Sequence, residues 1–249
     1  MGFSANPVGI QFQIFYPPHL VALGIILAIN LAFIPFSKYA DERARKAFRY
    51  GLAIFLILTE ITYNVWRAAV GIWSIQENLP LHLCSLLIIL SAILLVTQNH
   101  TLYEIVYFMG IAGATQALLT PDIDIYGYPH LRFFTSFITH GTIVTTAIYM
   151  TVVEGMRPTW ASISRVLGML AVYGAVIFGL NFLIGSNYLF IAHKPEVPTL
   201  IDMLGPWPFY ILPLAGIALV MSLILYLPFA IKDWRAARRA SLSEEGQRA

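Results

Sequence analysis

The chain contains one cysteine, Cys84, in the stretch Asn78-Leu79-Pro80-Leu81-His82-Leu83-Cys84-Ser85. A thiol attacks carbon only as its thiolate, so Cys84 carries chemistry only where a base can reach it. Asn78 or Leu79 suits an N-cap and Pro80 the first turn of a helix, which sets Cys84 in the first or second turn, where a helix N-terminus modestly favours a thiolate. His82 lies two positions away, about 200° around that helix, so a base must come from elsewhere. His140, in a stretch of Phe, Ile and Thr, has the side chain best suited to accept a proton near neutral pH. Both residues also have plain readings: a membrane cysteine is a small hydrophobe, and a histidine among apolar residues is often a bonded structural one.

Other polar residues repeat at spacings that give them a common direction. Glu60, Asn64 and Arg67 are four and three apart, hence on one helical face, with Tyr63 beside them. Gln116 and Thr115 lie near the end of a later apolar stretch, and Asn181 near the end of another. Beyond Asn181 comes a segment with Asn187, His193, Lys194, Pro195, Pro198 and Asp202, closing on Leu204-Gly205-Pro206-Trp207-Pro208. Asp122 and Asp124 form an i, i+2 carboxylate pair, but a calcium loop needs more oxygen ligands at defined positions. The cysteine and histidine spacings match no structural zinc pattern, and no metal or cofactor is expected.

The elements that position these residues follow from composition. Of 249 residues 58% are hydrophobic and 11% charged, and the mean hydropathy is +0.73, far from the usage of soluble domains. A span needs about 20 mainly apolar residues. Seven stretches qualify: 19–36, 50–70, 80–97, 102–119, 131–152, 164–184 and 208–231. Lipid leaves backbone groups without partners and the stretches lack strand alternation, so the expected fold is all-α, a polytopic bundle of seven transmembrane helices. Residues 1–18 form a lead-in, 19–231 the membrane domain and 232–249 a basic tail.

Orientation follows from charge. With the loop from Ser37 to Arg49 and the tail inside, twelve of the fifteen basic residues are cytoplasmic, and only Arg67, Arg132 and Lys194 fall outside. The N-terminus is then outside, the C-terminus inside, and the location a cell membrane. The 38–49 loop is expected to be a short helix touching anionic headgroups. Counting at 1.5 Å per residue places Cys84, Arg67, Asn64, Glu60 and His140 between about 5 and 15 Å below the outer surface. Gln116 and Asn181 approach that layer from two further helices. The last stretch contains no lysine, which argues against a retinal Schiff base.

Leu79-Pro80-Leu81-His82-Leu83-Cys84 at a helix start, Thr120-Pro121, His140-Gly141, and Asn187-Tyr188-Leu189 through Lys194-Pro195 to Asp202-Met203-Leu204-Gly205-Pro206-Trp207-Pro208 together resemble the YwaF family of bacterial integral membrane proteins. The resemblance covers essentially the whole membrane region. Eukaryotic relatives of that family include a cysteine-dependent transmembrane phospholipid acyltransferase that uses a cysteine and a histidine. The resemblance therefore implies that Cys84 is the nucleophile and His140 the base of a ping-pong acyl transfer through a thioester, with membrane phospholipids as partners. On that reading Arg67 or Lys194 holds the lipid phosphate, and Asn64, Asn181 or Gln116 donates to the oxyanion.

A different class of function is also open: a non-catalytic solute-binding or transport protein whose outer pocket uses Glu60, Arg67, His82, Lys194 and Asp202. No internal repeat supports alternating access. Neither reading involves nucleic acid, and oligomeric state is open in both.

Overall fold

The computed structural model describes residues 2–7, 11–123, 125–194 and 200–248. Seven helices follow one another: α1 (Pro17–Tyr39), α2 (Glu42–Ala69), α3 (Leu83–Thr97), α4 (His100–Leu119), α5 (Leu131–Val152), α6 (Trp160–Ile184) and α7 (Ile211–Arg248). They correspond in order to the seven apolar stretches, and no strand occurs among the described residues. Five of them, α1, α2, α4, α6 and the 211–241 part of α7, are long and apolar enough to cross a membrane. The exceptions are α3, with 15 residues, and α5, whose 22 residues include Arg132, His140 and many threonines.

Two helix starts differ from expectation. No separate helix occupies 38–49: α2 begins at Glu42, because Asp41 accepts from the Ala44 N–H at 2.7 Å and caps one continuous helix of 28 residues. At the other end of the bundle α3 begins at Leu83, not at Pro80. Residues 79–82 are held as a turn instead, since the Leu79 N–H donates to the Tyr188 hydroxyl at 2.9 Å and the Leu81 carbonyl accepts from Tyr173 at 2.8 Å. His82 is the N-cap, which makes Cys84 the second residue of its helix.

The centre of the bundle is α5, which packs against α1, α2, α3 and α4. Its approach to α1 depends on Gly141, where an added Cβ would lie 2.8 Å from Ile26 Cδ1; its approach to α4 depends on Gly110, where a Cβ would lie 2.9 Å from Ile143 Cγ2. Ile143, Ala147, Tyr149 and Met150 are fully buried between them. Within α4, residues Val106–Gly110 widen into a π turn, leaving Tyr103 bonded to Thr151 of α5 and Tyr107 bonded to the Leu225 carbonyl of α7. Helices α6 and α7 pair with each other and lean on α4.

Both ends are tied by polar contacts. At the Cys84 end, four successive carbonyls of the N-terminal segment accept hydrogen bonds: Gly2 from the Leu131 N–H, Phe3 from Trp66, Ser4 from His130 and Ala5 from Tyr126. His19, fully buried, donates through Nε2 to the Leu118 carbonyl and so joins α1 to α4. At the opposite end Arg45 caps the carbonyls of Ser37, Ala40 and Val153, and Glu154 meets Arg49 at 3.5 Å and the Tyr149 hydroxyl at 2.9 Å. Arg157 pairs with Asp233 of α7, and Arg165 with Glu104 of α4. Several basic residues of that end thus bind the protein's own carbonyls and carboxylates.

Candidate functional site

Three mutually packed helices, α2, α3 and α5, carry Glu60, Asn64, Arg67, Cys84 and His140 of the expected residues. From α2 come Glu60, Tyr63, Asn64 and Arg67, on one face as their spacing requires. The Asn64 amide donates to Glu60 Oε1 at 3.0 Å and accepts from the Trp73 indole at 3.1 Å. Arg67 donates to the Tyr63 hydroxyl at 3.0 Å and pairs with Glu77 at 2.8 Å. The ion pair on this face therefore joins Arg67 to the following loop, not to Glu60.

From α3 comes Cys84, a half-buried free thiol in the first turn. From α5 comes His140, also half-buried, whose Nδ1 lies 2.8 Å from the Ser136 carbonyl oxygen. A carbonyl can only accept, so Nδ1 carries the proton. In the neutral ring Nε2 is then an unprotonated lone pair, the form required of a general base. The same helix supplies a residue that sequence reasoning passed over. Arg132, second in α5, lays its guanidinium over the Tyr63 ring, 4.7 Å from the centroid. Its charge reaches Glu60, Cys84 and His140, one residue from each of the three helices. The sequence signal was available: Arg132 is one of only three basic residues assigned to this end.

A second group lies in the α6–α7 connection and is bound up in holding it. Asn181 is buried and spends both ends of its amide, donating to the Tyr188 carbonyl at 2.9 Å and accepting from the Tyr188 N–H at 2.8 Å and Ser186 Oγ at 2.7 Å. Asn187 accepts from the Ala192 and His193 N–H groups and donates to the His193 carbonyl at 2.8 Å. Lys194 lies 3.4 Å from Asp202. Pro195 and Pro198 of this segment, like Asp124 of the earlier carboxylate pair, lie outside the described residues.

His82 stands at the seam between the groups. Its ring meets Tyr188 and Phe190, with centroids 5.0 and 5.3 Å away. Tyr188 in turn donates to the Ile75 carbonyl at 2.7 Å. Gln116 is exposed on α4. His130, fully buried at the head of α5, accepts from the Arg132 N–H through Nδ1 and donates to Ser4 through Nε2. Burial pushes its pKa below the ordinary imidazole value, with the Ser4 bond opposing. Among the described residues no three of His, Cys, Asp and Glu converge as a ligand set.

Chemically, the first group offers a thiol, a base with a fixed tautomer, and a cation, within helices that leave them half exposed. No curated protein and no solved structure matches the chain. Residues 14–226 match the TMEM164 family, a span that takes in every helix up to Tyr226 of α7 and both Cys84 and His140. The chain therefore belongs to the TMEM164 family of transmembrane proteins.

Proposed function

We propose that this membrane protein is a cysteine-dependent acyltransferase acting on phospholipids. The observation that carries the reading is the His140 tautomer: Nδ1–H is committed to the Ser136 carbonyl, which leaves Nε2 as the acceptor in the layer that holds Cys84. A base of fixed tautomer on a helix packed against the one that carries a free thiol is a starting point for nucleophilic acyl transfer. The resemblance of the Cys84 and His140 motifs to a cysteine-dependent acyltransferase supplies the reaction class.

A free thiolate is costly in hydrocarbon, so proton transfer from Cys84 to His140 Nε2 accompanies attack of sulfur on the ester carbonyl. The new C–S bond gives a tetrahedral adduct. As it collapses, the ester C–O bond breaks and the lysolipid alkoxide takes the proton from His140, leaving a thioester on Cys84. An incoming alcohol then gives its proton to His140, attacks the thioester, and releases the thiol. Asn64 spends its amide donor on Glu60 and Asn181 on Tyr188, so Asn64 serves the oxyanion only by giving up a bond to its own helix.

The topology belongs to the same proposal: seven crossings, N-terminus outside and C-terminus in, in a cell membrane. At 15 residues α3 covers about 22 Å, so its first turn sits below the surface and the 78–82 turn completes the crossing.

The test is acyl-enzyme trapping. Purified protein incubated with a phospholipid labelled in its acyl chain forms a hydroxylamine-sensitive label on Cys84, lost in Cys84→Ala. A wild-type protein that never acquires the label, and cells whose lipid acyl composition ignores both Cys84→Ala and His140→Ala, overturn the reading. Uptake of a solute by vesicles, dependent on Glu60 or Arg67 but not on Cys84, would favour transport instead.

A further inference from the structure

Among the described residues three basic side chains stand at the Cys84 end of the bundle, and two are neutralised from within. Arg67 meets Glu77 at 2.8 Å and Lys194 meets Asp202 at 3.4 Å. Arg132 differs. Among the described residues no carboxylate lies within ion-pair distance of its guanidinium and no hydrogen bond uses its side-chain donors; its partner is the face of Tyr63. Its backbone N–H is already taken by His130, so the helix N-terminus adds nothing there.

A guanidinium stacked on an aromatic ring keeps its N–H groups in the plane of the fork, pointing outward. Stacking costs the group part of its hydration and returns no hydrogen bond. A half-buried cation in that state is suited to a planar or tetrahedral oxyanion, which it can grip with two parallel bonds. The position selects which one. Arg132 is eight residues before His140, about 12 Å further toward the helix start, and its side chain leans the same way. Charge therefore stands above, thiol and base below, and the anion is attached to something that reaches from one to the other.

We propose that Arg132 is the anchor for the phosphate diester of the lipid substrate, holding the headgroup while the glycerol ester descends to Cys84. This rests on the acyl-transfer reading for the identity of the lipid and replaces Arg67 and Lys194 as the expected phosphate ligands. Tyr63 is the positioning residue: its ring sets the plane of the Arg132 fork, and its hydroxyl accepts from Arg67, which lies farther from the same ring, 5.7 Å from the centroid, and is paired with Glu77.

The experiment separates binding from chemistry. Full-length protein carrying Cys84→Ala, reconstituted in neutral nanodiscs, is titrated with a fluorescent diether phosphatidylglycerol, which has the phosphate but no ester, and with the matching diether glycerol, which lacks it. Addition of Arg132→Gln weakens phospholipid binding by about tenfold and leaves the neutral lipid unchanged; Arg132→Lys gives an intermediate loss. Inorganic phosphate at millimolar concentration does not displace the lipid. Equal phospholipid binding with and without Arg132→Gln overturns the proposal, and displacement by inorganic phosphate moves it to a free-anion site. Should Arg132→Gln fail to fold, the comparison of Arg132→Lys on the two lipids decides: a loss confined to the phospholipid supports the anchor, an equal response to both removes it. If phospholipid binding depends on Arg132 but Cys84 never takes up an acyl group in the parent protein, the anchor stands and the acyltransferase reading falls.

Discussion

Arg165 Nη1 lies 2.7 and 2.5 Å from the two carboxylate oxygens of Glu104, a pair that joins α6 to α4. Glu104 is fully buried and also accepts from Ser162 at 2.6 Å, whereas the Arg165 side chain remains 45% exposed. The carboxylate is thus the half of the pair that depends on its partner.

Arg165→Ala strands that carboxylate with only Ser162 and His100, and is expected to cost about 2 kcal/mol, below the range for a fully buried pair because Arg165 is half in solvent. Glu104→Gln keeps the Ser162 bond and removes the charge, so its cost is smaller. The double variant should be more stable than the sum of the single losses allows. Thermal unfolding in detergent for the three variants measures the coupling.

His140→Ala removes the base and is expected to lower the rate of Cys84 acylation by about 10²- to 10⁴-fold. Ser136→Ala is the discriminating partner. His140 bonds the backbone carbonyl of Ser136, not its hydroxyl, so this variant should keep the acylation rate within about threefold. Single-turnover labelling of Cys84 measures both. Equal, large losses in the two variants would mean that the serine hydroxyl takes part.

Asn181→Ala strips the Tyr188 N–H and carbonyl of their buried partners, with an expected loss of about 2–3 kcal/mol. The connection between α6 and α7 should then become a protease site near Tyr188 in limited digestion. Binding of lipid to the Arg132 region should persist in the fraction that stays folded.

His130 gives the fold a pH dependence. Its pKa is lowered in the folded chain, so between that value and the ordinary one, near 6.5, the unfolded chain binds the extra proton. Stability is full above about pH 6.5 and falls as the pH drops through and below it. His130→Asn keeps a capping side chain, cannot charge, and should flatten the unfolding temperature between pH 7.5 and 5.

The order and number of the helices were legible because lipid forces long apolar runs, and those runs are plain in the chain. Their starts were less so. Pro80 suits a first turn by itself, yet Tyr173 and Tyr188, about a hundred residues away, take the backbone groups of residues 79 and 81 and move the start of α3 to Leu83. In the site, periodicity placed Glu60, Asn64 and Arg67 on one face and kept His82 apart from Cys84. It could not say which cation would find an acid. Arg67 met a carboxylate in the loop that follows its helix and Lys194 one in its own connection, and Arg132, read only as a charge to be counted, was left against an aromatic ring. Asn181 shows the same limit: a polar residue at a helix end looks alike whether it serves a ligand or a turn.

The π turn at Val106–Gly110 marks where this chain can change in length. A π turn holds one residue more than the α turn it replaces, so deleting a single residue there would leave a regular helix. The five residues of the π turn advance the helix by nearly the angle that about four residues of α-helix would, so the parts of α4 before and after it keep their directions. Glu104 would still face Arg165, and the helix beyond Gly110 would still face α5. A loss of one residue anywhere else in α4 would turn its two halves against the wrong neighbours.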